Sequence, residues 1–117
     1  MVERRKQTRA KIDYPIYYIG SDKDGNITAQ DVAIGLNVNE NGILIESDDY
    51  INARFIQIMA QSQHKTTIKV KGEIIYSMQS AEGRFRTGVA FEDSTGTALS
   101  FIDEMIQASS SAKDLAH

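Results

Sequence analysis

The hydrophobic positions fall in short runs with strand-like spacing, separated by polar clusters, along nearly the whole chain. "KIDYPIYYIG" (11–20) is rich in β-branched and aromatic residues and has one proline near its start, a composition suited to an edge strand. "SDKDGN" is a turn cluster. "ITAQDVAIG" follows it with Ile27, Ala29, Val32 and Ile34 apolar but out of strict register, which predicts a hairpin with room for a bulge. "NVNENG" reads as a structured loop, because asparagine and glycine tolerate left-handed backbone and asparagine bonds its own main chain. "ILIES" predicts a short strand, "DDYINAR" a turn, and "FIQIM" a strand with Phe55, Ile56 and Ile58 as its apolar contacts.

After the polar link "AQSQHK", the stretch "TTIKVKGEIIYSM" alternates through Ile68 and Val70, then shifts phase, and Gly72 marks an expected bulge or bend. "RFRTGVAFED" sets Phe85, Thr87, Val89 and Phe91 on one face, with Gly88 on the other. A helix is predicted from near Ser94 and Thr95, with Leu99, Ile102, Met105 and Ile106 along one stripe. Its stripe fits either an open end of a barrel or the barrel's outside. "SSSAKDLAH" reads as a frayed tail or a loose continuation of the helix. Six strands with short turns and then one helix favour a closed or nearly closed antiparallel barrel over a parallel α/β sheet.

Composition narrows the function more than the fold. A chain of 117 residues makes one domain, and its 41% hydrophobic and 25% charged residues are those of an ordinary globular protein. It contains no cysteine, which rules out disulfides, thiolate zinc sites and a cysteine nucleophile, and suits a reducing cytoplasm. No apolar run approaches the length of a bilayer span, and no signal segment follows the first residues, so a cytoplasmic location is expected.

Catalysis is not expected. His64 lies in a polar link and His117 is the last residue, so neither belongs to a metal set or orients a nucleophile. Asp22, Asp24 and Asn26 have the spacing of a calcium loop, but the glycine is at Gly25 and Ala33 stands where the closing glutamate belongs. The segment is assigned to a hairpin turn.

The net charge is −3, yet "ERRKQTRAK" near the N-terminus is strongly basic. A solvated chain end and an anion-binding arm are both consistent with that run. Nucleic acid is a poor candidate, because the basic residues gather at one end without a row of exposed aromatics on the strands.

One ordered set of motifs bears on the choice. Arg5 and Arg9 form Arg-x-x-x-Arg before the first strand, and "NVNENG" supplies Asn37 and Gly42 at the ends of an Asp/Asn-x-Ser-x-x-Gly pattern. "KGEIIY" and "TGVAF" then precede the helix. In this order the chain, from about Arg4 to Ala108, resembles the PilZ domain family.

The resemblance implies a six-stranded antiparallel PilZ-like β-barrel with a C-terminal helix. It divides the chain into a basic arm over 1–11, a barrel and helix over 12–108, and a flexible tail over 109–117. It also implies a bacterial receptor for cyclic di-GMP, with no other cofactor and no catalytic activity, coupled to motility or biofilm control through a downstream protein partner. The expected ligand contacts are Arg4, Arg5, Arg9, Asn37, Asn39 and Gly42.

Arginine forks fit the O6 and N7 acceptors of guanine, and cationic groups fit the phosphates. Arg5 and Arg9 lead this set, Arg4 adds a phosphate or stacking contact, and Lys6 and Lys11 add only positive potential. Asn37 is expected to meet a guanine edge, and Gly42 to allow a turn and close backbone approach. Asn39 departs from the pattern by replacing its serine. The alternative is therefore a PilZ-like protein-interaction module that does not bind the nucleotide, in which the asparagines stabilise their own loop.

Overall fold

A computed structural model of the chain describes residues 10–61 and 67–92, together with Asp103, Met105 and Ile106. Six strands, β1 (Ala10–Ser21), β2 (Ile27–Asn39), β3 (Gly42–Ser47), β4 (Phe55–Gln61), β5 (Thr67–Gln79) and β6 (Phe85–Phe91), close a barrel in the order β1-β2-β3-β6-β5-β4. All neighbouring strands are antiparallel. The sheet closes on itself because each strand has one apolar face to bury and the interior is narrow enough for side chains to fill.

Ile16, Tyr18, Ala33, Val38, Ile43, Ile45, Ile56, Ile58, Val70 and Val89 form that filling. Ile51, in the connection between β3 and β4, is buried at one end of the barrel. At the other end Met105, in the described part of the helix, is 1% exposed and joins the same core beside Ile12, Ile43 and Gly35. Met105 thus closes this end of the barrel.

Several boundaries differ from the sequence reading. β1 begins at Ala10, inside the segment assigned to the arm. It is not an edge, since it pairs with both β2 and β4. Its pairing with β4 starts only at Tyr17, however, so Pro15 lies where β1 has no β4 neighbour and its missing N–H costs no ladder bond there. β2 runs on to Asn39, through half of the expected loop, because a bulge at Leu36 resets its alternation against β3. The bulge in β5 falls at Ile75 rather than at Gly72. Gly72 instead allows close packing, since a Cβ there would lie 2.6 Å from the Ala90 carbonyl oxygen. Phe55 is half-buried on the outside under the Arg54 guanidinium, while Ile56, Ile58 and Ala60 face the core. "SDKDGN" is the expected hairpin turn: Asp22 Oδ1 accepts from the backbone amides of Asp24 and Asn26 at 2.9 Å, and Gly25 has φ 88°.

Candidate ligand-binding site

The two bulges produce the site. In β2, Ala33 and Gly35 face inward; without an extra residue Asn37 would follow them into the core. Leu36 is that extra residue, so Val38 turns inward and Asn37 and Asn39 turn outward. In β5 the residue at Ile75 likewise breaks the inward series Val70, Gly72, Ile74 and places Tyr76 outside. Cross-strand pairing then lines up Asn37, Leu44, Gly88 and Tyr76 in one row over β2, β3, β6 and β5. The next row holds Asn39, Gly42 and Ala90.

Two glycines shape the wall between these side chains. A Cβ at Gly42 would overlap the Val89 carbonyl oxygen, so β3 and β6 can approach this closely only without one. A Cβ at Gly88 would overlap the Tyr76 ring, so that ring packs directly on the Gly88 backbone and keeps part of its surface in solvent. The outcome is an open cleft of about 370 Å³ lined by Asn37, Asn39, Asn41, Gly42, Leu44, Ile75, Tyr76, Gly88 and Ala90, with Ile43 and Val89 behind them.

Asn39 has a defined local task. Its Oδ1 accepts hydrogen bonds from the backbone amides of Asn41 at 2.8 Å and Gly42 at 3.1 Å, closing the β2–β3 turn. Gly42 has no positive φ; the positive-φ glycines among the described residues are Gly25 and Gly83. Its need for glycine comes from the approach of β6, not from the turn.

No lining residue of the cleft carries a formal charge. The arginines beside it are committed elsewhere. Arg86 Nε donates to Glu46 Oε2 at 3.1 Å, and Arg84 pairs with Glu46 and with Asp48, at 3.0 Å to the latter.

Of the sequence-derived contacts, Asn37, Asn39 and Gly42 come together in the cleft, while Arg4, Arg5 and Arg9 lie outside the described residues. Tyr76 is not among the sequence-derived contacts; it packs across the strands on Gly88 and also lines the cleft. Its signal was the consecutive apolar run Ile74, Ile75, Tyr76, which a strictly alternating strand with one wet face would not carry.

No protein-family model matches the sequence, and no curated protein is similar to it by sequence comparison. Solved structures do match its fold. The Bacillus subtilis inhibitor of motility MotI/DgrA superposes with a TM-score of 0.64 at 8% identity, covering 96% of this chain and 52% of that one. The PilZ domain of Escherichia coli YcgR, solved with c-di-GMP, gives 0.62 at 11% identity over 97% of this chain and 98% of that one. Apo MrkH from K. pneumonia gives 0.60 at 10% identity over 94% and 53%. The chain thus spans about half the length of MotI/DgrA and MrkH, and nearly all of the YcgR domain. What these likenesses establish is the architecture: the chain folds as a PilZ-type barrel.

Proposed function

We propose that this chain is a cyclic di-GMP-binding receptor or adaptor of bacterial second-messenger signalling, in which the ligand draws the basic N-terminal arm onto the barrel. The observation that carries the reading is the uncharged cleft itself, which offers amides, exposed backbone beside glycine and an aromatic ring, but no cation. A ligand with two guanines and two phosphates needs all of these and positive charge besides. What supports a source of that charge is the pairing of the Lys11 backbone with Asn37, since Arg9 and Arg5 precede Lys11 by two and six residues in the sequence. At about 3.3–3.6 Å per residue, an arm of this length can cross the cleft.

In this reading Arg5 and Arg9 read guanine edges, Arg4 meets a phosphate or stacks, Asn37 meets a guanine edge, and Tyr76 offers its ring to a base. Gly42 allows the ligand and backbone to approach closely. The YcgR domain, a neighbour in fold, was solved with this nucleotide. Signalling would then pass to a downstream protein in the cytoplasm, with motility or biofilm formation as the output.

The reading is tested by isothermal titration with cyclic di-GMP at near-physiological salt, with cyclic di-AMP as the control. Binding is expected for the first nucleotide only, and is expected to be lost in Arg5→Ala, Arg9→Ala and Asn37→Ala. A non-binding interaction module is the second reading, favoured by the commitment of Asn39 Oδ1 to its own turn. Absence of binding by the wild-type chain would select it.

A further inference from the structure

The stagger of the barrel leaves its long strands overhanging their neighbours, and the overhangs differ in how their open backbone is guarded. On the side toward β4, β1 is unpaired before Tyr17 and carries Pro15 there. β2 is unpaired toward β3 before Ile34, but it carries Asp31, and Thr28 Oγ1 donates at 2.6 Å to the Asn52 carbonyl of the crossing connection. The start of β5 has no ladder pairing with β6 before Gly72, apart from the Glu92 amide that donates to the Lys71 carbonyl at 2.9 Å, and it carries Lys69 and Lys71. Proline, charge and covering loops are the devices that blunt open strand edges.

Among the described residues, the end of β5 lacks them beyond the bulge at Ile75. Its pairing with β4 ends at Glu73, and from Ile74 to Ala81 the sequence has neither charge nor proline. Ile75 and Met78 are each 61% exposed. The Ser80 amide donates to the Arg84 carbonyl at 2.7 Å, so by strand alternation Gln79 and Ser77 point their N–H and C=O groups away from β6.

We propose that a second copy of this chain pairs antiparallel with the Ile75–Gln79 edge, about a two-fold axis through Ser77, to give a closed dimer. The sequence is self-complementary in that register. Ser77 meets the partner's Ser77 through the outward backbone groups, and Tyr76 and Met78 each face the other across the axis, a sulfur–aromatic contact made twice. Two chains of net charge −3 repel in general, and an uncharged edge is where their approach costs least. Tyr76 belongs both to this edge and to the cleft, so the partner sits beside the ligand site. The inference does not rest on which ligand, if any, the cleft takes.

Sedimentation velocity of the full chain without nucleotide, over a series of concentrations, tests it. The wild type is expected to pass from monomer to dimer. Ser77→Pro removes an outward N–H while sparing the β5–β6 ladder, and is expected to be monomeric. Met78→Lys places two cations across the axis and is expected to raise the dimer Kd about tenfold or more. Circular dichroism reports whether each variant folds, and if Ser77→Pro does not, the exposed Met78→Lys decides. A wild type that stays monomeric, an open-ended assembly, or a dimer unchanged in folded Met78→Lys would overturn the proposal.

Discussion

Two of the rows of outward side chains that cross this barrel have opposite outcomes, one a filled surface and one a hollow. Over β2, β1, β4 and β5 run Val32, Tyr17, Met59 and Lys69, a full side chain on every strand. Over β2, β3, β6 and β5 run Asn37, Leu44, Gly88 and Tyr76, where a glycine leaves a gap and a bulge on each flanking strand turns a polar or aromatic group outward. The strands, pleat and twist are shared. A missing Cβ and a phase shift at the same level together make the recess between these strands.

The comparison breaks most readily at Gly42. Gly42→Ala sets a methyl against the Val89 carbonyl, which is backbone and cannot swing aside, and is expected to cost about 3 kcal/mol. Val32→Thr on the other wall, at a residue 65% exposed, is expected to stay within about 0.5 kcal/mol. Urea unfolding midpoints measure both, and equal midpoints would show that the close β3–β6 approach is not what demands glycine.

Gly88→Ala comes next, at about 1–2 kcal/mol, because its methyl meets the Tyr76 ring, which can rotate into solvent. Its larger effect is expected on the cleft: titration should show cyclic di-GMP affinity reduced more than about tenfold. Unchanged affinity would remove Tyr76 from the site.

Asn39 separates stability from binding at one position. Asn39→Ala loses the two turn bonds and is expected to cost about 1 kcal/mol in the same unfolding assay. Asn39→Asp keeps the acceptor and so the stability, but sets a negative charge where phosphates are expected, so its nucleotide affinity should fall. Equal binding by Asn39→Asp would place the phosphates elsewhere.

The smallest effects concern pH, again on opposite parts of the molecule. Burial, with help from Asp31 and Asp49, raises the Tyr18 pKa above its usual value of about 10. Its folded state favours the neutral phenol, so this stabilisation is complete below pH ~10 and is lost as pH rises through the folded value. Tyr18→Phe should flatten the alkaline limb of a stability profile. Bonds from the Asn26 backbone, then its side chain, hold Asp22 below its usual carboxylate value. That contribution is present above pH ~4 and is lost as pH falls through the depressed value. Asn26→Ala should weaken the acid dependence slightly, and an unaltered acid limb would mean that the turn bonds do not stabilise the folded state.

The strands were legible because their apolar runs and polar turns alternate plainly, and the barrel followed from their number and order. The helix stripe likewise announced a buried Met105. Phase was less legible. A bulge shifts every later side chain to the other face, and the residue that bulges, Leu36 or Ile75, looks like any apolar strand residue. "NVN" therefore resembled a loop, although Val38 is 1% exposed in the core. The asparagines and Gly42 were found through their motif rather than their periodicity. Tyr76 was missed as a lining residue because its exposure depends on a bulge one residue earlier and on a glycine in the next strand.

The seam that closes the barrel has its own consequence for folding. Among the described residues β1 is in register with β4 over Tyr17–Ser21, five register pairs against the ten that join β1 to β2. Residue 17 must find residue 59 across a long intervening chain, so this contact carries a large loop-closure cost and is expected to form late. Fluctuations that open the cylinder should begin there, and the β1–β4 amides should exchange with solvent sooner than those of the β1–β2 hairpin.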